Sequence, residues 1–292
     1  MKLINMLVDG QLHLGILTER GVIDVTGLAR KTDSFAPQSM MEAIRMGREN
    51  ALPYLREVQA RADHFLDEAQ ITYAPAVDDP EKILCAGVNY RAHIEETQGS
   101  FTPAAAPSIF AKFRNTLAPH RGSVRRNRSS RKHDYEAEIA VVIGRRAAYI
   151  PAEEAENYIF GYTLANDISA RDLQRATTQW VPGKTCDTFC PLGPCIVTAD
   201  ALSYKSMHIT GYKNGELRQE GWSTDMIHDI PALVSYLSHC CTLEPGDVIL
   251  TGTPAGVILG RPEEQQDWLQ PGDVLTVRED TIGELTVTMC DA

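Results

Sequence analysis

The chain has 292 residues, a formal net charge of −11 and a hydrophobic content of 43%. That length leaves room for one large domain and one small one, and the acidic balance excludes nucleic acid as a partner class, because phosphate contacts need a basic face. No apolar stretch approaches the roughly 20 residues that span a bilayer. The opening Met1–Asp9 is too short and polar for a secretory signal, so a cytoplasmic protein without membrane contact is expected.

Residues 1–78 read as a small α+β module. Lys2–Leu7, Gln11–Leu17 and Val22–Val25 are expected as short strands, with turns at Asp9-Gly10 and Glu19-Arg20-Gly21. Ser39 can cap a helix over Met40–Met46, and Pro53 lies early in a second helix reaching about Leu66. Tyr73–Pro80 reads as a linker. From 79 to 292 the pattern is mostly strand and turn. A strand opens at Lys82–Ala86, and apolar strands follow at Ile139–Ile143, Tyr158–Ala165 and Asp247–Leu250. Helices are expected at Pro151–Tyr158 and at Asp229–His239, the latter with Asp229 as cap. The seven cysteines are odd in number and form no C-x-x-C pair, which fits reduced thiols. Cys186, Cys190 and Cys195 cluster without a zinc spacing.

Chemistry concentrates at a few places. In Asp134-Tyr135-Glu136-Ala137-Glu138, the two glutamates fall on one face of a strand, about 7 Å apart. If that face is buried, the carboxylates repel unless a cation lies between them, and a hard divalent ion with oxygen ligands answers this. If the strand is a sheet edge, both simply face water. Asp167, where the next strand ends, can supply a third oxygen. His93 and Glu96 share one face of a helical turn. Histidine titrates near neutrality and a carboxylate orients it, so the pair is a candidate acid–base dyad. Thr251-Gly252-Thr253-Pro254 follows a strand, and its glycine allows close backbone approach to a ligand. Thr97–Pro107 is small and Pro/Ala-rich, either a lid or an ordinary surface loop. Arg121, Arg125, Arg126, Arg128, Arg131 and Lys132 crowd together, either as a solvated loop or as a positive rim that draws anionic substrates.

The ordered motifs G-x-N-Y-x-x-H-x-x-E (Gly87–Glu96), D-Y-E-x-E (Asp134–Glu138), G-Y-x-x-x-N-D-x-S-A-R-D-x-Q (Gly161–Gln174), Lys184 and P-G-D-x-I-x-T-G-T-P (Pro245–Pro254) resemble the fumarylacetoacetate hydrolase family. The likeness covers about residues 80–290 and is closest to acylpyruvase-like and 2-hydroxyhepta-2,4-diene-1,7-dioate isomerase-like members. It implies a mainly β (α+β) fold, with a β-sandwich or roll at 79–292 and a homodimeric assembly. It implies Glu136, Glu138 and Asp167 as ligands of Mg²⁺, with Mn²⁺ or Ca²⁺ as alternatives. It also implies His93, Glu96 and Lys184 as catalytic groups, with Gln174, Gly252 and Thr253 touching a small 2-keto or diketo carboxylic acid. Phe113-Arg114-Asn115 and the heavy arginine run depart from the family pattern, and both are expected at the substrate entrance.

The leading expectation is therefore a metal-dependent hydrolase that cleaves a carbon–carbon bond in a small β-diketo acid, through an enolate that the ion and Lys184 stabilise. The same site serves a decarboxylase, an isomerase or tautomerase, or a sugar-acid dehydratase. A non-catalytic protein with a structural ion is the reading from another class. It has no use for Lys184 or for the His93–Glu96 pair.

Overall fold

The computed structural model describes residues 1–32, 35–98 and 106–292. Two sheets organise it. The larger has eleven strands among the described residues. Its path runs from Gly21–Asp24 through Gln11–Thr18, Lys2–Val8, Cys190–Thr198, Ile159–Asn166, Ala137–Ile143, Val248–Leu250 and Ile83–Gly87 to Ser108–Lys112. Every residue of the three strands Ala137–Ile143, Ile159–Asn166 and Cys190–Thr198 is buried. Their near-continuous apolar character follows from being covered on both faces.

Alternation along Ala137–Ile143 divides the interior in two. Ile139, Val141 and Ile143 join Ile209, Val277 and Leu285 of the second sheet and Val234 and Leu237 of the helix Ile230–Cys240. Ala140 and Val142 face the other way, onto Leu3, Ile16 and Ile23 and onto Met40 and Ile44 of the helix Met40–Met46. The second sheet has five strands, in the order Glu216–Trp222, His208–Lys213, Val274–Glu279, Gly283–Cys290 and Ser123–Arg125. The fold is thus mainly β with few helices, as expected.

Several local expectations fit and several do not. Ser39 Oγ accepts the Glu42 N–H and Asp229 accepts the Ala232 N–H, so both caps form. The helix containing Pro53 is Arg48–Arg61, ending short of Leu66 because Leu66 exchanges backbone hydrogen bonds with Val22. Val25 opens an unanticipated helix, Val25–Thr32. The stretch read as a linker is packed. Tyr73, Ala76 and Val77 are buried, and the Ala76 N–H donates to Leu192 O. One sheet runs across residue 78, since Lys2–Val8 pairs with Cys190–Thr198 in the register Lys2↔Val197. We keep the 1–78 and 79–292 division as a proposal about sequence modules.

Candidate active site

The site forms where two central strands stop pairing. Ala137 lies opposite Asn166 and Glu138 opposite Ala165. Just beyond, the Asn166 side-chain oxygen accepts the Glu136 N–H at 3.0 Å and the Asp167 N–H donates to Glu136 O at 2.8 Å. The Asn-Asp pair thereby continues the ladder by one step and turns the Asp167 carboxylate onto the glutamates. Glu136, Glu138 and Asp167 are all buried, and each offers an oxygen within 4.8 Å of the others. The water-facing edge strand is not what forms.

Burial and the like charges of Asp167 and Glu136 push the Glu138 carboxyl well above the usual carboxylate range. Its protein partner is a backbone group, the Gly252 N–H at 2.6 Å. Burial also acts against a charged Glu136, but Lys184 and Arg171 more than offset it and hold that carboxyl down. Four buried carboxylates (Asp134, Glu136, Glu138, Asp167) meet three buried cations. Lys184 Nζ reaches Glu136 Oε2 at 2.7 Å and Asp167 Oδ2 at 2.6 Å. Lys112 Nζ donates to Asp167 Oδ1 and to Ile168 O. Arg171 contacts Asp134 through Nε at 2.8 Å and Glu136 through its terminal nitrogen at 2.7 Å. An all-oxygen, buried, carboxyl-rich set fits a hard divalent ion and offers nothing to a soft one. Burial works against the Lys184 ammonium, yet Asp167 and Glu136 raise its pKa and keep it charged.

Lys184 ends the four-residue helix Val181–Lys184. A Cβ on Gly183 would meet Gln174 N at 2.4 Å and Ala170 O at 2.5 Å, so only glycine lets this turn lie against the Arg171–Gln174 turn. On the opposite side, the helix Arg91–Gln98 carries His93, whose Nδ1 lies 2.9 Å from Glu96 Oε1. Because the carboxylate only accepts, Nδ1 carries the proton and Nε2 the lone pair. Glu95 is exposed and lines a separate depression with Tyr90 and Arg91.

One cavity of about 100 Å³ joins these groups; His93, Glu136, Glu138, Gln174, Lys184 and Thr253 all line it. Phe110 and Trp180, in edge contact at 5.4 Å, add an apolar wall. The Gln174 side-chain oxygen accepts from Arg171, which leaves its NH₂ for a ligand. The Thr253 hydroxyl donates to Ala137 O and accepts from Gln219, so toward a ligand it can only accept. Gly252 has φ +95° and its N–H is taken by Glu138, so it supports a carboxylate of the triad where a substrate contact was expected. Neither the arginine run nor Phe113-Arg114-Asn115 lines the cavity. Asn115 instead donates to Thr185 O and Asp187. Most of the suspected lid, Thr97–Pro107, lies outside the described residues.

Sequence reasoning missed Lys112, Arg171, Asp134 and Gln219 as parts of this site. Lys112 had a signal, a lone cation ending the apolar strand Ser108–Lys112. Gln219, in an otherwise polar hairpin strand, had none.

A buried oxygen triad that could hold a divalent ion, a neighbouring ammonium and a histidine–carboxylate pair are thus gathered around one small cavity, an arrangement suited to an enzyme. Residues 82–290 match the family model for the fumarylacetoacetate (FAA) hydrolase C-terminal region, and the chain belongs to that family. It is 38% identical over 259 residues to a mitochondrial oxaloacetate tautomerase of Xenopus laevis, covering 87% of this chain and 79% of that one. It is 39% identical over 225 residues to the oxaloacetate tautomerase YisK of Bacillus subtilis, covering 76% and 74%. Among solved structures, a fumarylacetoacetate hydrolase from Exiguobacterium antarcticum superposes with a TM-score of 0.85 at 33% identity, covering both chains completely. A maleylpyruvate hydrolase from Sphingobium sp. SYK-6, in complex with manganese(II) and pyruvate, superposes with a TM-score of 0.81 at 27% identity, again over both whole chains. No helix among the described residues is long and apolar enough to cross a membrane.

Proposed function

We propose that this protein interconverts the keto and enol forms of a small 2-keto acid of the oxaloacetate class, using a divalent ion held by Glu136, Glu138 and Asp167. The observation that carries the reading is the shared cavity, lined by His93 of the dyad and by Glu136 and Glu138 of the triad, with Glu96 bonded to His93 and an Asp167 oxygen within 4.8 Å of both glutamates. The names of the relatives from Xenopus and Bacillus favour tautomerisation over the hydrolysis first expected.

When bound, the ion would act as a Lewis acid that makes the carbon next to the keto group more acidic. His93 Nε2 takes the proton from that carbon while Glu96 holds the ring in the required tautomer. The Lys184 ammonium stabilises the negative charge that develops on the keto oxygen, in a pocket with Phe110 and Trp180 on its apolar side. Proton return to oxygen completes the enol, and the reverse sequence gives the keto form. Gln174 donates its free NH₂ to the substrate carboxylate.

The test is the decay of enol-oxaloacetate ultraviolet absorbance with Mg²⁺ or Mn²⁺, with chelator and with His93→Gln as controls. Acceleration lost in both controls supports the reading; an unaccelerated decay rejects it. Hydrolysis of a diketo acid is the second reading, favoured by the hydrolase neighbour solved with manganese and pyruvate. It requires acetate and pyruvate to appear from acetylpyruvate. A homodimer remains part of the proposal, to be tested by sedimentation.

A further inference from the structure

The cavity wall contains a cation that the triad does not use, and it bears on substrate choice. Arg171, Gln174 and Arg175 all line the cavity, as residues i, i+3 and i+4 of one turn do. Arg171 is already paired with Asp134 and Glu136 and bonded to Gln174, although its Nη2, in ion-pair contact with Glu136, makes no hydrogen bond. Lys184 is committed to Glu136 and Asp167. Arg175 is exposed, and its guanidinium has no carboxylate and no hydrogen-bond acceptor among the described residues. Its backbone is nonetheless fixed, since its N–H donates to Arg171 O at 3.1 Å. Elsewhere in the lining, the side chains of Phe110, Val88 and Leu259 offer nothing to an anion.

We infer that Arg175 is a specificity-determining residue that binds the distal carboxylate of a dicarboxylic 2-keto acid, while the 2-keto acid end lies at the acidic triad. The inference rests on the proposed reading that the cavity takes a 2-keto acid, and it narrows the substrate to those carrying a second carboxylate. A planar guanidinium suits the task because it pairs with a carboxylate through two parallel N–H groups. A monocarboxylic 2-keto acid leaves Arg175 in water and gains nothing from it.

The experiment compares malate with lactate, two 2-hydroxy acids that differ in the distal carboxylate, by calorimetric titration of the Mn²⁺-loaded protein. The loss of one charge-assisted pair predicts that Arg175→Met weakens malate about tenfold and lactate by less than about twofold. Arg175→Lys should recover part of the malate affinity. The KM for oxaloacetate should rise in parallel with little change in kcat. Equal effects on both acids, or on neither, overturn the assignment, as does failure of both to bind the wild type. If malate binding depends on Arg175 but the wild type does not accelerate enol decay, the functional reading fails while the Arg175 assignment stands. If enol decay is accelerated and Arg175→Met does not discriminate, the reverse holds.

Discussion

His93 Nδ1 lies 2.9 Å from Glu96 Oε1, and both oxygens of that same carboxylate accept the Gly256 N–H, at 3.1 and 2.9 Å. Glu96 therefore orients the imidazole and also fastens the His93 helix to the segment after Val248–Leu250. Replacing His93 by Gln should lower kcat by roughly 10²–10⁴-fold, the usual worth of a positioned general base. Glu96→Gln should cost less, because an amide can still accept from Gly256. Steady-state rates on enol-oxaloacetate decide this. A His93→Gln protein at wild-type rate would move the proton transfer to another group.

Glu138 is the triad member without a cation of its own, buried beside two like charges. In chelator, Glu138→Gln should leave the melting temperature unchanged or raise it, because one source of repulsion is gone. Added Mg²⁺ or Mn²⁺ should then raise the melting temperature of the wild type and not of the variant, since only a protein that binds the ion gains from mass action. A variant with the full ion-dependent increment would remove Glu138 from the ligand set.

Lys112 acts on the opposite side of Asp167, where its buried ammonium holds one oxygen and leaves the other facing Lys184 and the glutamates. Lys112→Met should destabilise the ion-free protein by up to about 3–5 kcal/mol, the cost of removing one partner from a buried ion pair, with Lys184 still holding the other Asp167 oxygen. A divalent ion should return part of that loss. Urea unfolding with and without Mn²⁺ measures both quantities, and a loss below about 1 kcal/mol would place the pair among solvent-screened ones.

His120 gives a pH signature away from the site. Its Nδ1 accepts the Thr286 N–H at 3.0 Å, and burial, helped by Arg121, pushes its pKa down to about 4. The folded state thus resists a proton that the unfolded chain accepts near pH 6.5. Stability from this residue is complete above pH 6.5 and is lost as pH falls toward 4, by about 2–3 kcal/mol. His120→Asn retains an acceptor for Thr286 and should flatten that arm of the stability curve. Urea midpoints between pH 7 and 4 that fall as steeply as in the wild type would assign the acid sensitivity elsewhere.

What could be read in the chain beforehand follows from how local the signal is. The Ala137–Ile143 strand and the Ser39 and Asp229 caps declare themselves within a few residues, and so does the spacing of His93 to Glu96. Glu136, Glu138 and Asp167 were legible because two adjacent strands carry them and the family motifs name them. Lys112 and Gln219 reach the site from strands distant in sequence, so no local spacing marks them. Gly252 shows a related limit of local signals. A glycine after a strand signals close approach, but what approaches it here is Glu138. The Tyr73–Pro80 stretch has the composition of a linker, and tertiary contacts from Leu192 and Asn5 override it.

The register that sets Lys2 opposite Val197 also constrains how the molecule comes to exist. The first strand leaves the ribosome long before its partner, and the amino group of Met1 meets Thr198 across 197 positions of chain. Closing so long a loop is a late and slow event in folding. Until then, the outer margin of Cys190–Thr198 is an open template for pairing with another nascent copy. A fragment limited to residues 82–290 would keep every group of the acidic triad and carry that unprotected margin permanently. Its weakness would be aggregation during synthesis, with the chemistry of its cavity still encoded in full.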